Sequence, residues 1–196
     1  MYNFNIYVWG EKMVTKKKIK IVVENVVAST DVKKTLSLDK LLTVLEDSEY
    51  EPEQFPGLVY RISEPKVATL IFRSGKIICV GARSTGKAKI ALKKVVKNIK
   101  KSGARVNENK IRVKIENIVV SVDLKKELNL DGLAFELESS EYEPEQFPGL
   151  VYRILDPKVA FLLFSSGRVV CAGAKSLADV KTAIKILQKK LRQLKA

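Results

Sequence analysis

The fifteen residues SEYEPEQFPGLVYRI, Ser48 to Ile62, return unchanged from Ser140 to Ile154, a shift of 92 positions. The same shift aligns KIKIVVENVVASTD (Lys18–Asp31) with KIRVKIENIVVSVD (Lys110–Asp123). It also aligns EPKVATLIFRSGKIICVGARS (Glu64–Ser84) with DPKVAFLLFSSGRVVCAGAKS (Asp156–Ser176). The chain therefore reads as two copies of one unit, 16–103 and 108–196, behind an extension over 1–15. The link KSGARVNEN carries the Gly and Asn of a turn. Two copies are too few for a solenoid, so a paired unit with internal two-fold pseudo-symmetry is expected.

Each copy reads strand, helix, strands, helix. IKIVVENVVAS is rich in β-branched residues and reads as a strand. Ser37 or Asp39 can cap a short helix in LDKLLTVLED, with Leu41, Leu42 and Leu45 on one face. PEQFPG is a turn, its Pro and Gly supplying the geometry. LVYRI, VATLIFR and KIICVG are three further strands, and RSGK and SSGR are glycine-bearing hairpin turns. A long helix closes each copy, TGKAKIALKKVVKNIKK in the first and LADVKTAIKILQKKLRQLK in the second. The expected class is α+β, an antiparallel sheet with helices on one face.

A sheet covered on one side should alternate apolar with polar residues. These strands do not: Leu70, Ile71 and Phe72 are consecutive, as are Ile77, Ile78, Cys79 and Val80, and copy two repeats the pattern. Either a second chain buries the extra face, or it stays open for a ligand. Asn25 and Asn117 are its few polar residues. Cys79 and Cys171 fall on the opposite face and read as small core residues.

The chain has 36 Lys and Arg against 22 Asp and Glu, a net charge of +14. That balance suits an anionic partner, nucleic acid first, or a lysine-rich solvated surface. Nine cations and no acid lie between Arg83 and Arg105. This basic helix either adds non-specific affinity, contacts an acidic partner, or is a solvated face. A smaller set, Arg61, Arg73, Lys76, Arg153 and Arg168, flanks the strands and is better placed to hold phosphates around an apolar face.

Enzyme chemistry finds little support. There is no histidine, which removes the commonest general base and metal ligand. Two cysteines alone cannot close a structural zinc site, and no cofactor or metal is expected. GARSTGKA (Gly81–Ala88) nearly spells a phosphate-binding loop, but Ala88 replaces the hydroxyl that would hold magnesium. No apolar run approaches the ~18 residues of a membrane span. MYNFNIYVWGEK lacks a signal-peptide layout, and Met13 is an alternative start. A cytoplasmic, nucleoid-associated location is expected.

The duplicated unit, the EPEQFPGLVYRI motif, the IF-x-SGK/R turns and the paired EN-V/I-V strands together resemble the TATA-binding protein family, in its archaeal form. The resemblance covers about 16 to 196. It implies a saddle: one curved antiparallel sheet, helices on the convex face, and a concave face that binds the minor groove of A/T-rich promoter DNA. This family is itself a standing example of kinking by apolar wedges. The resemblance maps the wedges to Phe55, Phe72, Phe147 and Phe164. It assigns Asn25 and Asn117 to base acceptors at the centre. Val27, Leu70, Ile78 and Val80 would line the groove, with Val119, Leu162, Val170 and Ala172 in copy two. Phosphate contacts map to Arg61, Ser74, Lys76, Arg153, Ser166 and Arg168. The carboxy-terminal PEQFPG loop would bind transcription factor B through Glu141, Glu143, Glu145 and Gln146, and RNA polymerase would follow indirectly.

By periodicity alone Phe55 and Phe147 are equally loop anchors. The family usually has threonine at Val80 and Ala172, so the fine sequence preference is open here, and many archaeal members are less basic. Two rival readings remain: a module that dimerises through the open sheet face, and a DNA-binding accessory protein of the same fold without a promoter role.

Overall fold

The computed structural model describes residues 19–194; the amino-terminal extension expected over 1–15 lies outside the described residues. Copy one runs β1 (Ile21–Asp31), α1 (Leu38–Leu42), β2 (Ser48–Glu49), β3 (Gly57–Ile62), β4 (Val67–Phe72), β5 (Lys76–Ala82) and α2 (Thr85–Lys101). A 3-10 turn at Glu108–Lys110 leads into copy two: β6 (Lys114–Asp123), α3 (Leu130–Glu136), β7 (Ser140–Glu141), β8 (Gly149–Ile154), β9 (Val159–Phe164), β10 (Arg168–Ala174) and α4 (Leu177–Gln193).

The strands form one ten-stranded antiparallel sheet in the order β2-β3-β4-β5-β1-β6-β10-β9-β8-β7. The copies meet where β1 pairs with β6. There Val26 faces Ile118, its own counterpart 92 positions on, so the pseudo-two-fold passes through that pair. Asn25 faces Val119 and Val27 faces Asn117 around it. The sheet curves into a saddle with α2 and α4 on its convex side.

Strand alternation resolves the double apolar face. In β4, Val67, Thr69 and Ile71 are buried while Ala68, Leu70 and Phe72 are half-buried. In β5, Ile77 and Cys79 are buried while Ile78 and Val80 are half-buried. The buried set packs beneath the helices; nothing among the described residues covers the other. Ala88, Ala91, Leu92, Val95, Val96 and Ile99 of α2 point into the core. Fully burying a side chain such as Leu92 contributes about 1.5–3 kcal/mol. The Ser84 hydroxyl caps α2 by accepting from the Lys87 N–H at 3.1 Å, and Ser176 caps α4 by accepting from Asp179 at 3.0 Å.

Helix α1 is capped by Ser37. It is little more than one turn, so Leu41 and Leu45 take the core positions and Leu42, expected beside them, turns out to solvent at 39% exposure. The two-residue strands β2 and β7, which close the sheet edges, are too short to show a period in the sequence.

Candidate nucleic-acid interface

The open face is built from rows that run across the strands. Val59 pairs with Leu70, Leu70 with Ile78, and Ile78 with Ser29. Copy two repeats the row as Val151, Leu162, Val170 and Ser121. Val80 and Ala172 sit one row further, opposite Ala68 and Ala160. Val27 and Val119 flank the pseudo-dyad. Val59, Val151, Ala68 and Ala160 belong to this face but are not among the residues that the sequence singles out. Their alternation within β3, β4, β8 and β9 is the signal that could have found them.

The two asparagines are oriented by the backbone. Asn25 Oδ1 accepts from the Gly81 N–H at 2.8 Å, and Asn117 Oδ1 accepts from Gly173 at 2.8 Å. Both glycines hold left-handed backbones, φ +88° and +107°, a conformation that favours glycine. With each amide oxygen engaged by its glycine, the Nδ2 donors have no hydrogen-bond partner among the described residues.

Each end of the saddle carries a phenylalanine pair. Phe55 and Phe72 meet edge-to-face with centroids 5.8 Å apart, and Phe147 and Phe164 at 5.9 Å. Phe55 is 36% and Phe147 39% exposed, on the loop before β3 or β8. They are not buried loop anchors. A Cβ on Gly57 would stand 2.7 Å from the Phe55 ring and 3.1 Å from that of Phe72, and Gly149 repeats this in copy two. The pair is seated only because the backbone beneath it is bare.

The basic rim is partly self-paired. Arg61 Nη1 lies 2.9 Å from Glu49 Oε1, and Arg153 Nη1 lies 2.9 Å from Glu141 Oε1. Glu141 and Arg153, expected separately as a partner contact and a phosphate contact, thus hold each other. Such exposed pairs contribute about 0–1 kcal/mol and open readily. Lys76 pairs in register with Asp31, and Arg168 with Asp123. The Lys33 ammonium and backbone N–H hold the Asp31 carboxyl below its usual range, with Lys76 adding to them; Lys125 does the same for Asp123, with Arg168. Ser74 Oγ accepts from the Lys76 N–H at 3.4 Å, closing its turn. Phe164, Ser166, Arg168 and Val170 line one groove with Val22, Glu24 and Ser121.

Two carboxylates on this face also go unmarked in the sequence. Glu24 is the extra residue of a bulge between Val23 and Asn25, and Glu116 its counterpart on β6. The Ser121 hydroxyl donates to Glu24 at 2.5 Å and the Ser29 hydroxyl to Glu116 at 2.6 Å. The Ser29 hydroxyl and the Lys114 ammonium lower the Glu116 carboxyl from its usual range.

Glu143, Glu145 and Gln146 are exposed on the carboxy-terminal loop. The N–H groups of Gln146 and Phe147 donate to the Glu143 carbonyl at 3.0 and 2.9 Å, fixing the loop. Cys79 and Cys171 are fully buried on the helix side, and burial pushes both thiols up to about 11.

The family model described as "Transcription factor TFIID (or TATA-binding protein, TBP)" matches residues 20–102 and again 112–194. The chain is similar to the TATA-box-binding protein of Methanocaldococcus jannaschii, 54% identical over 172 residues, covering 88% of this chain and 92% of that one. It is 49% identical to the TATA-box-binding protein of Archaeoglobus fulgidus over 177 residues, covering 89% and 96%. A solved structure, Methanococcus jannaschii TBP, superposes with a TM-score of 0.82 at 52% identity, covering 89% of this chain and 99% of that one. The expected location is corrected in one respect: "cytoplasmic" is imprecise for archaeal proteins of this kind, which are nucleoid-associated. No helix among the described residues is long and apolar enough to cross a membrane.

Proposed function

Because this chain belongs to the TATA-binding protein family in its archaeal form, we propose that its concave face seats on the minor groove of A/T-rich promoter DNA and kinks it by phenylalanine insertion. It is a general transcription factor of this family and not an enzyme.

The observation that carries the mechanism is the phenylalanine pair at each end, partly exposed and seated over a bare glycine. An aromatic edge held this way can enter a base step without first rearranging. Unstacking costs about a few kcal/mol per step and is offset by the larger contact surface of the bent duplex. Between the wedges, the Val, Leu, Ile and Ala side chains offer no acceptor for the guanine amine, and Ser29, Ser121, Glu24 and Glu116, which do carry acceptors, hydrogen-bond one another. A·T pairs expose only acceptors in this groove, whereas G·C pairs add that amine. The Nδ2 donors of Asn25 and Asn117 meet the A·T acceptors at the centre. Arg61, Ser74, Lys76, Arg153, Ser166 and Arg168 take the phosphates along the rim, Arg61 and Arg153 leaving their glutamates to do so.

Transcription factor B docks on the carboxy-terminal loop through Glu143, Glu145 and Gln146, with Glu141 freed once Arg153 turns to a phosphate; RNA polymerase follows through that factor. Without DNA, the uncovered apolar face supports pairing with a second copy. The test is 2-aminopurine, placed step by step along an A/T-rich duplex. Two steps should brighten, one at each end, and Phe55→Ala/Phe72→Ala should silence one of them. Uniformly quenched probes in a saturated complex would rule out insertion.

A further inference from the structure

The helices on the convex side carry lysines in a pattern that the concave site does not use. Lys89, Lys93, Lys97 and Lys101 of α2 follow one another at four-residue steps and are all exposed. Copy two repeats the row on α4 as Lys181, Lys185 and Lys189, also exposed. Helix α2 has no acidic residue, and α4 has only Asp179 in its first turn. Like charges four residues apart repel across a helix turn, and no acid on α2 relieves them. None of these seven lysines has an ion-pair partner among the described residues.

Both rows sit on the far side of the sheet from the groove-binding face. A duplex kinked towards its major groove curves away from the protein, so these lysines cannot serve the duplex held beneath. Their chemistry favours a phosphate backbone over a protein surface. Protein interfaces are depleted in Lys and depend on buried aromatic or Arg anchors. The one large apolar residue on the outer face of α2 is Ile90, 60% exposed. Lysines spaced about 6 Å apart along a helix are point charges able to follow a row of phosphates without reading sequence.

We propose that the convex face is a second, sequence-independent site for the phosphate backbone of another DNA duplex, so that one molecule bridges two segments. Saturating the protein with an A/T-rich duplex in one colour and titrating a G/C-rich duplex in a second colour tests this. Co-localisation of both colours on one protein is expected. The quadruple variant Lys93→Glu/Lys97→Glu/Lys185→Glu/Lys189→Glu keeps good helix formers at each position, and its circular dichroism should match the parent. It should keep its A/T-duplex affinity and weaken second-duplex capture at least tenfold. The salt slope of that capture should fall by about 0.9 for each phosphate that the variant no longer neutralises. Absence of capture by the parent, or equal capture by a folded variant, overturns the proposal. Tighter capture of labelled polyglutamate than of the G/C-rich duplex at equal charge concentration overturns it in favour of an acidic protein partner. The first colour reports the groove site separately, so failure of either site is seen by itself.

Discussion

The side-chain oxygen of Asn25 accepts a hydrogen bond from the backbone N–H of Gly81 at 2.8 Å, and Asn117 bears the same relation to Gly173. One bond fixes the amide oxygen of each asparagine and leaves its Nδ2 unpaired. Asn25→Asp/Asn117→Asp keeps the acceptor for glycine but replaces the outward donor with a carboxylate oxygen. Removing each donor costs about 1–3 kcal/mol where its partner acceptor stays buried. Fluorescence anisotropy should show A/T-duplex affinity falling at least tenfold, with the melting temperature nearly unchanged. A melting temperature that falls with the affinity would mean the asparagines act on the fold instead.

Gly57→Ala and Gly149→Ala test the seat beneath the phenylalanine pairs. The new Cβ meets the ring of Phe55 or Phe147 at 2.7 Å. Because those rings are partly exposed, they can swing aside at little cost to the fold. Stability should change by less than about 1.5 kcal/mol, while duplex bending drops sharply. Unchanged bending would show that the ring position is not critical.

Glu24 and Glu116 place two carboxylates on a face meant for a polyanion. Glu24→Gln/Glu116→Gln should tighten duplex binding at low salt and make its salt dependence steeper, because two repulsive charges are gone. Weaker binding from a stable variant would assign the carboxylates a direct role in binding.

Cys79 and Cys171 have no exposed surface and thiols pushed up to about 11. At pH 8 a thiol reagent should label them only as fast as the protein opens, since the thiolate is the reactive form. Immediate labelling of both would contradict the packing.

Asp31 and Asp123 are depressed below their ordinary value of 3.8, chiefly by the neighbouring lysines. A depressed carboxyl binds its proton less readily when folded, so its stabilisation is complete above the unfolded value and lost as pH falls through the folded one. Asp31→Asn/Asp123→Asn should therefore flatten the acid limb of the stability curve below about pH 4. Both groups are close to solvent, and a small effect is expected. A steeper limb in the variant would reverse the sign of the argument.

Much of the fold is legible in the chain because the repeat writes each element twice. SEYEPEQFPGLVYRI specifies a loop and a strand in both copies, and the apolar runs at Leu70–Phe72 and Ile77–Val80 announce a second face from the letters alone. Ser37, one of the two cap candidates in the sequence, caps α1. Other features depend on geometry that letters do not carry. Glu24 reaches the open face only because a bulge interrupts the period of two at that residue. Gly57 reads as a turn glycine until two rings are found over it. Arg61 reads as a free cation until β2, only two residues long, brings Glu49 to its side. Leu42 fits the apolar face of a longer helix, but α1 ends too soon to carry it there.

Energy transfer between the ends of an A/T-rich duplex, with a G/C-rich duplex beside it across a salt series, tests bending by phenylalanine insertion. Tight, A/T-selective binding is expected, with a large bend that Phe55→Ala or Phe147→Ala abolishes. Equal, unbent binding to both duplexes, vanishing together as salt rises, would mean that the +14 charge acts alone and would contradict it.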